Sequence, residues 1–127
     1  MNTPEFQTHA ENHFHFLIER HGFAQTTAQP NIIRYSSTDV VVEVNYSGRG
    51  EVDVIMDENP SSYRFQLRLF LMAFYPAVEK ALGYAIANSD DEVNRELKRF
   101  SYVLQEYGKP LLERDRQVFE KMRIFKW

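Results

Sequence analysis

Every histidine of the chain falls in one short stretch, HAENHFHFLIERHGF, from His9 to Phe23. Imidazoles bind metals and move protons near neutral pH, so this clustering is the first place to look for chemistry. His9 and His13 are spaced i, i+4 and share one face of a helix, where two ring nitrogens can hold one zinc or nickel ion. Such a pair supplies only part of the three or four ligands a site needs, so a further ligand must come from elsewhere in the fold. The zinc-protease pattern H-E-x-x-H requires Glu directly after the first His. Here Ala10 holds that place, and Glu11 is turned a further ~100° round the helix. The H-x-E of zinc deaminases requires a P-C-x-x-C partner, and the chain has no Cys. His15 points away from the pair, and His21 lies among the apolar residues, where it caps the helix or contacts the core. The plain alternative is four histidines flanking an amphipathic helix, with no cofactor.

A second constellation is acidic. Glu43, Glu51, Asp53 and Asp57 alternate with valines and so share one sheet face, together with Asn45. Three readings are open. The acids could coordinate Mg²⁺ or Ca²⁺ or act as paired carboxylates in hydrolysis, although no D-x-D-x-D-G loop is present. They could form a solvated face that discourages edge aggregation. They could also recognise a basic protein partner, since opposite charge speeds encounter. No serine sits in G-x-S-x-G, and SGRGE lacks the G-x-x-x-x-G-K of a phosphate cradle.

These residues need elements to position them. Residues 4–21 predict one helix, with Thr3 as cap, Pro4 in the first turn, an apolar stripe through Phe6, Ala10, Phe14 and Leu17, and Gly22 as the stop. Residues 23–30 read as a polar connection. Three β segments follow, at Ile32 to Ser36, within DVVVEVNYS, and within EVDVIMD. Placing Val42, Val44 and Tyr46 beside Met56, Val54 and Val52 pairs Ser47 with Glu51 and leaves Gly48-Arg49-Gly50 as the loop. Such a loop favours a left-handed Gly50. Phe65, Leu67, Leu69 and Leu71 alternate like a fourth strand, but Leu67, Phe70, Leu71 and Phe74 fit a helix, and the composition favours a helix from about Arg64 to Phe74. Pro76 restarts the chain toward Leu82, and Gly83 ends that turn of helix. Ser89 and Glu92 make a capping box for a helix whose stripe is Val93, Leu97, Phe100, Val103, Leu104 and Tyr107, stopped by Gly108. A last helix spans about Asp115 to Phe125 and buries Val118, Phe119 and Met122, while Phe125 and Trp127 either dock back or leave an apolar patch.

The bulk properties fit one domain of 127 residues with 43% hydrophobic side chains, enough for a core without disulfides. Net charge is −3, which argues against nucleic acid, and no apolar run is long enough to span a membrane, so a cytoplasmic protein is expected. The charge is uneven: residues 1–63 carry 9 acids and 3 bases, and residues 64–127 carry 9 acids and 12 bases.

The tail LQEYGKPLLERDRQVF, Leu104 to Phe119, resembles the ending of a large group of small bacterial proteins, L-x-x-Y-G-x-x-L-L-x-G-D-x-x-x-F. Tyr107, Gly108, Leu111, Leu112, Asp115 and Phe119 match, and Arg114 stands where the pattern has Gly. Some of that group are similar to immunity proteins of polymorphic-toxin and contact-dependent inhibition systems. The resemblance implies no catalytic residues. The expectation is an α+β fold: an N-terminal helix, a three- or four-stranded antiparallel meander, and C-terminal helices packed on one sheet face. The expected function is a non-enzymatic protein-binding module, under the resemblance an immunity protein that sequesters a basic toxin domain through Glu43, Glu51, Asp53 and Asp57. Two alternatives stay open: a small metal-binding protein or metal-dependent enzyme built on His9 and His13, and a homodimer formed through the Phe-rich segment from Phe70 to Tyr75.

Overall fold

A computed structural model of the chain describes residues 3–47, 49–58, 63–83 and 85–125. Five strands form one antiparallel meander in the order β1-β2-β3-β4-β5: β1 Ala24–Gln29, β2 Ile32–Ser36, β3 Val40–Tyr46, β4 Val52–Glu58 and β5 Arg64–Gln66. The central hairpin has the register that hydrophobic alternation demands, with Val42 opposite Met56, Val44 opposite Val54 and Tyr46 opposite Val52. The Ser47 N–H donates to the Glu51 carbonyl at 2.8 Å and closes the turn. Gly50 is left-handed, with φ 84°, and a Cβ there would lie 2.9 Å from the Ala87 carbonyl oxygen, so both backbone and space demand glycine. Gly48 lies outside the described residues.

The sheet has one strand more than the three or four expected, and two of its strands, β1 and β5, lie outside the three read from alternation. AQTTAQ, within the stretch whose composition predicts a polar connection, is edge strand β1. It is polar and exposed on nearly every residue and carries a bulge between Gln25 and Thr27, so it lacks the alternation that marks a half-buried strand. The segment with two competing periods contains both structures. Arg64–Gln66 pair with β4, and at Leu67 the chain turns into helix α3, Leu67–Phe74, which buries Leu67, Phe70 and Leu71. The expected helix from Arg64 therefore starts three residues late, because pairing to Ile55–Asp57 holds residues 64–66 extended.

The N-terminal helix is also corrected. It is two helices, α1 Thr3–His13 and α2 Phe16–His21, with a turn at Phe14 and His15. The His13 carbonyl, which would accept the Leu17 N–H in a continuous helix, instead accepts the Ser101 hydroxyl at 2.5 Å. Leu17 N–H turns back to the Phe14 carbonyl, one residue tighter. This break lets Phe14, Phe16 and Leu17 all be buried while His15 stays outside. The side chain of Thr3, expected as the cap, lies outside the described residues.

The remaining helices are α4 Pro76–Leu82, α5 Asp90–Tyr107, α6 Lys109–Leu112 and α7 Arg116–Ile124. Pro76 opens α4 and a left-handed Gly83 closes it. Ser89 Oγ accepts the Glu92 N–H at the start of α5, but the Glu92 carboxylate reaches past Ser89 to the Asn88 N–H at 2.8 Å. Asp115 caps α7 through the N–H groups of Gln117 and Val118. The helices α1, α3 and α5 pack on one face of the sheet over Ile33, Tyr35, Val42, Val44, Val54 and Met56. The fold is α+β, as expected, and none of the described helices is long and apolar enough to cross a membrane.

Arg114 has φ 50°, the left-handed conformation that a side chain disfavours and glycine adopts freely. Its guanidinium repays the strain by donating Nε–H to the Glu58 carboxylate at 3.0 Å. Glu58 is 1% exposed and also holds Arg123, so the end of β4 is tied to both α6–α7 and α7 itself. Glu43 and Glu96, each 3% exposed, likewise meet two arginines apiece: Arg34 and Arg64, and Arg95 and Arg99. Burying a carboxylate is tolerable only when cations and hydrogen bonds satisfy it, and all three obey that rule.

Candidate functional site

The i, i+4 histidines face an i, i+4 pair on the neighbouring helix. His9 Nε2 lies 2.8 Å from Asp90 Oδ1, and His13 Nε2 lies 2.7 Å from Asn94 Oδ1. Both imidazoles thus pin α1 to α5, one turn apart. Among the described residues no three His, Cys, Asp or Glu side chains converge where a metal could sit. His15 is exposed and 3.8 Å from Glu19. His21 meets the Phe16 ring edge-on, and burial pushes its imidazole below the ordinary value.

The acidic row is divided by its neighbours. Glu43 was expected on the solvent side of the hairpin and does sit on that face, yet it is covered. Arg34 Nε donates to it at 2.8 Å from β2, Arg64 at 3.1 Å from β5, and Asn45 at 2.8 Å along β3. Burial alone would raise its carboxyl. The bonds from Asn45 and Arg34 and the charges of Arg64 and Arg34 outweigh burial and hold it below the usual range. Arg64 also lies 3.5 Å from Asp57. The middle of the sheet face is therefore a neutralised lattice, and Glu43 and Asp57 are not free acids. Arg34 stands directly opposite Glu43 in the β2–β3 register, so this pair was readable once the hairpins were aligned.

Glu51 and Asp53 lie toward the other end of β4 and have a different setting. Asp53 is half-buried, and burial, with Glu51 adding to it, raises its carboxyl despite the Val54 N–H, Gln66 and Arg68. With Gln66, Arg68, Met72, Glu79 and Lys80, these two acids line a cleft of about 480 Å³ between the sheet and α4. An ion pair, Arg68 to Glu79 at 3.3 Å, spans it.

Glu51 also belongs to a larger acidic end. Its strand bridges to Ile86, Ala87 N–H donates to the Gly50 carbonyl, and Tyr46 Oη donates to the Ala87 carbonyl. Three residues after Ala87, α5 begins with Asp90, Asp91 and Glu92. Phe6 of α1 stacks on Tyr46 at 5.9 Å, which sets Glu5 beside Asp90. The Glu5 carboxyl is raised, first by its hydrogen bond with Asp90 and then by that group's charge. The hairpin tip, the entry to α5 and the start of α1 thus bring Glu5, Glu51, Asp90, Asp91 and Glu92 to one end. Sequence reasoning missed Glu5, Asp90 and Asp91 as surface partners of Glu51, because 40 or so residues separate each segment from the next. Their acidic character was visible only as helix-start signals.

The Phe-rich segment is largely interior: Phe70 and Leu71 are buried, Phe74 is half-buried against Phe70, and Tyr75, 38% exposed, meets Tyr107 at a tilt, 4.8 Å between ring centroids. Trp127 lies outside the described residues. Neither a family model, nor a curated protein, nor a solved structure matches the chain.

Proposed function

We propose that this chain is a non-catalytic protein-binding module whose acidic end receives a basic partner, in the manner of an immunity protein covering a toxin domain. The crowding of Glu5 against Asp90 supports this reading most. The two carboxylates share a hydrogen bond and repel each other, the His9 imidazole 2.8 Å from Asp90 offsets only part of this, and a partner's lysine or arginine placed beside them relieves the rest on binding. Exposed Glu51 and Asp91 extend the same field, while the sheet-face arginines keep Glu43 and Asp57 out of it. The left-handed Arg114, standing where the tail pattern has Gly, favours the resemblance to immunity-type proteins, since its backbone adopts the glycine conformation.

The test uses the product of the gene next to this one. Co-expression with a toxin encoded there should permit growth, and the two chains should co-purify. Replacing Glu5, Glu51 and Asp91 together with Gln, Gln and Asn should abolish both. Continued protection by the triple variant would contradict the role of the acidic end. A neighbouring gene that encodes no toxin would contradict the immunity reading.

A further inference from the structure

We infer that the α4–α5 face binds a second copy of this chain, related by a two-fold axis beside Tyr102. Helices α4 and α5 leave an open groove of about 680 Å³ between them. Ala77, Val78 and Ala81 line it from α4 and Tyr102, Val103 and Tyr107 from α5, with Lys98 and Arg99 also on the α5 side. Tyr102 is 60% exposed and stands next to the hollow made by the exposed alanines. A two-fold interface brings one patch against itself, so it needs a protrusion and a recess side by side. Tyr102 beside Ala77 and Ala81 meets that requirement: each ring enters the other copy's hollow. A small apolar ligand would fit less well, because the groove is open along its length and would leave much of such a molecule wet.

The charges fix the direction. On the outward face of α5, Lys98 lies one turn before Tyr102 and Glu106 one turn after it, and both are exposed. An antiparallel pair of α5 helices centred on Tyr102 sets Lys98 of each copy against Glu106 of the other. A parallel pair would oppose like charges. Within the chain, neither Lys98 nor Glu106 has an ion-pair partner among the described residues. The next outward pair, Arg95 against Lys109, is like-charged, but lies ~10 Å from the axis. Each already has an acid of its own chain, Glu96 at 3.6 Å and Glu113 at 3.9 Å. An 18-residue α5 is ~27 Å long, so the patch falls at the low end of stable interfaces, and Kd is on the order of 10 µM.

Sedimentation velocity of the full chain from about 1 to about 300 µM tests this. A reversible dimer is expected. Tyr102→Ser should weaken it about tenfold or more, and Lys98→Glu or Glu106→Lys alone should each weaken it. Mixing those two single variants should restore association, because both inter-chain pairs are then opposite in sign. All three sites are exposed, so unchanged circular dichroism and melting are expected of the variants. A monomer throughout, a dimer indifferent to Tyr102→Ser, or a mixture no better than its components would each overturn the inference.

Discussion

At the centre of the open sheet face, Glu43 sits between Arg34 and Arg64 and its carboxyl is held below the ordinary range. At the hairpin end, Glu5 sits against Asp90 and its carboxyl is raised. Both acids come from the acid-rich half of the chain. The difference teaches that a row of acids in a sequence is not a row of negative charge on a surface. Cross-strand arginines convert the first group into a cross-link of β2, β3 and β5. The second group, drawn from three distant segments, lacks arginine among its described contacts; Asp90 meets only the His9 imidazole as a cation-forming neighbour there, and Glu51 and Asp91 stay exposed.

The strongest way to break this comparison is to remove a carboxylate from each region. Glu43→Ala should cost about 2–3 kcal/mol, because Arg34 and Arg64 lose their shared acceptor at a nearly enclosed site. Glu51→Ala, at an exposed position, should change stability by less than about 0.5 kcal/mol. Urea denaturation of both variants reads the difference, and equal costs would erase the distinction. Next in size is Gly50→Ala, which strains a left-handed turn and crowds the Ala87 carbonyl. A loss of about 1–2 kcal/mol is expected, with the hairpin tip displaced from the start of α5.

Acid titration sharpens the comparison by sign. Glu43 has a folded pKa below its ordinary value of 4.5. Its stabilising contribution is therefore fully present above that value and is lost as pH falls through the folded pKa. Asp53 has a folded pKa above its ordinary value of 3.8, so its charge opposes folding and the penalty disappears on acidification. Glu43→Gln should flatten the loss of stability below about pH 4.5, and Asp53→Asn should steepen it. Denaturant midpoints across pH 3 to 7 check both slopes. The smallest effect belongs to Glu5→Gln, which relieves the repulsion with Asp90. It should raise Tm slightly in low salt, and the gain should vanish in high salt as screening replaces it.

Much of the architecture was legible because local chemistry dictated it. Alternating valines and a glycine loop determine the β3–β4 register, Ser89 and Asp115 start their helices, and Pro76 and Gly83 bound α4. What was not legible depends on distant partners. The break between α1 and α2 rests on Ser101, 88 residues away, which takes the His13 carbonyl. Strand β1 carries no apolar pattern, since it lies at an edge with most of both faces exposed. The acidic site was half-legible: Glu51 was named from its strand, but Glu5 and Asp91 reach it only through the stacking of Phe6 on Tyr46 and the bond from Ala87 to Gly50.

The most direct test of this division is calorimetric titration of the chain with the proposed partner, a basic toxin domain sought in the neighbouring gene, in low and high salt. The triple replacement of Glu5, Glu51 and Asp91 should weaken binding about tenfold or more and flatten its salt dependence, while Glu43→Gln should leave affinity unchanged. Full affinity in the triple variant, or a larger loss from Glu43→Gln, would contradict the assignment of binding to the acidic end.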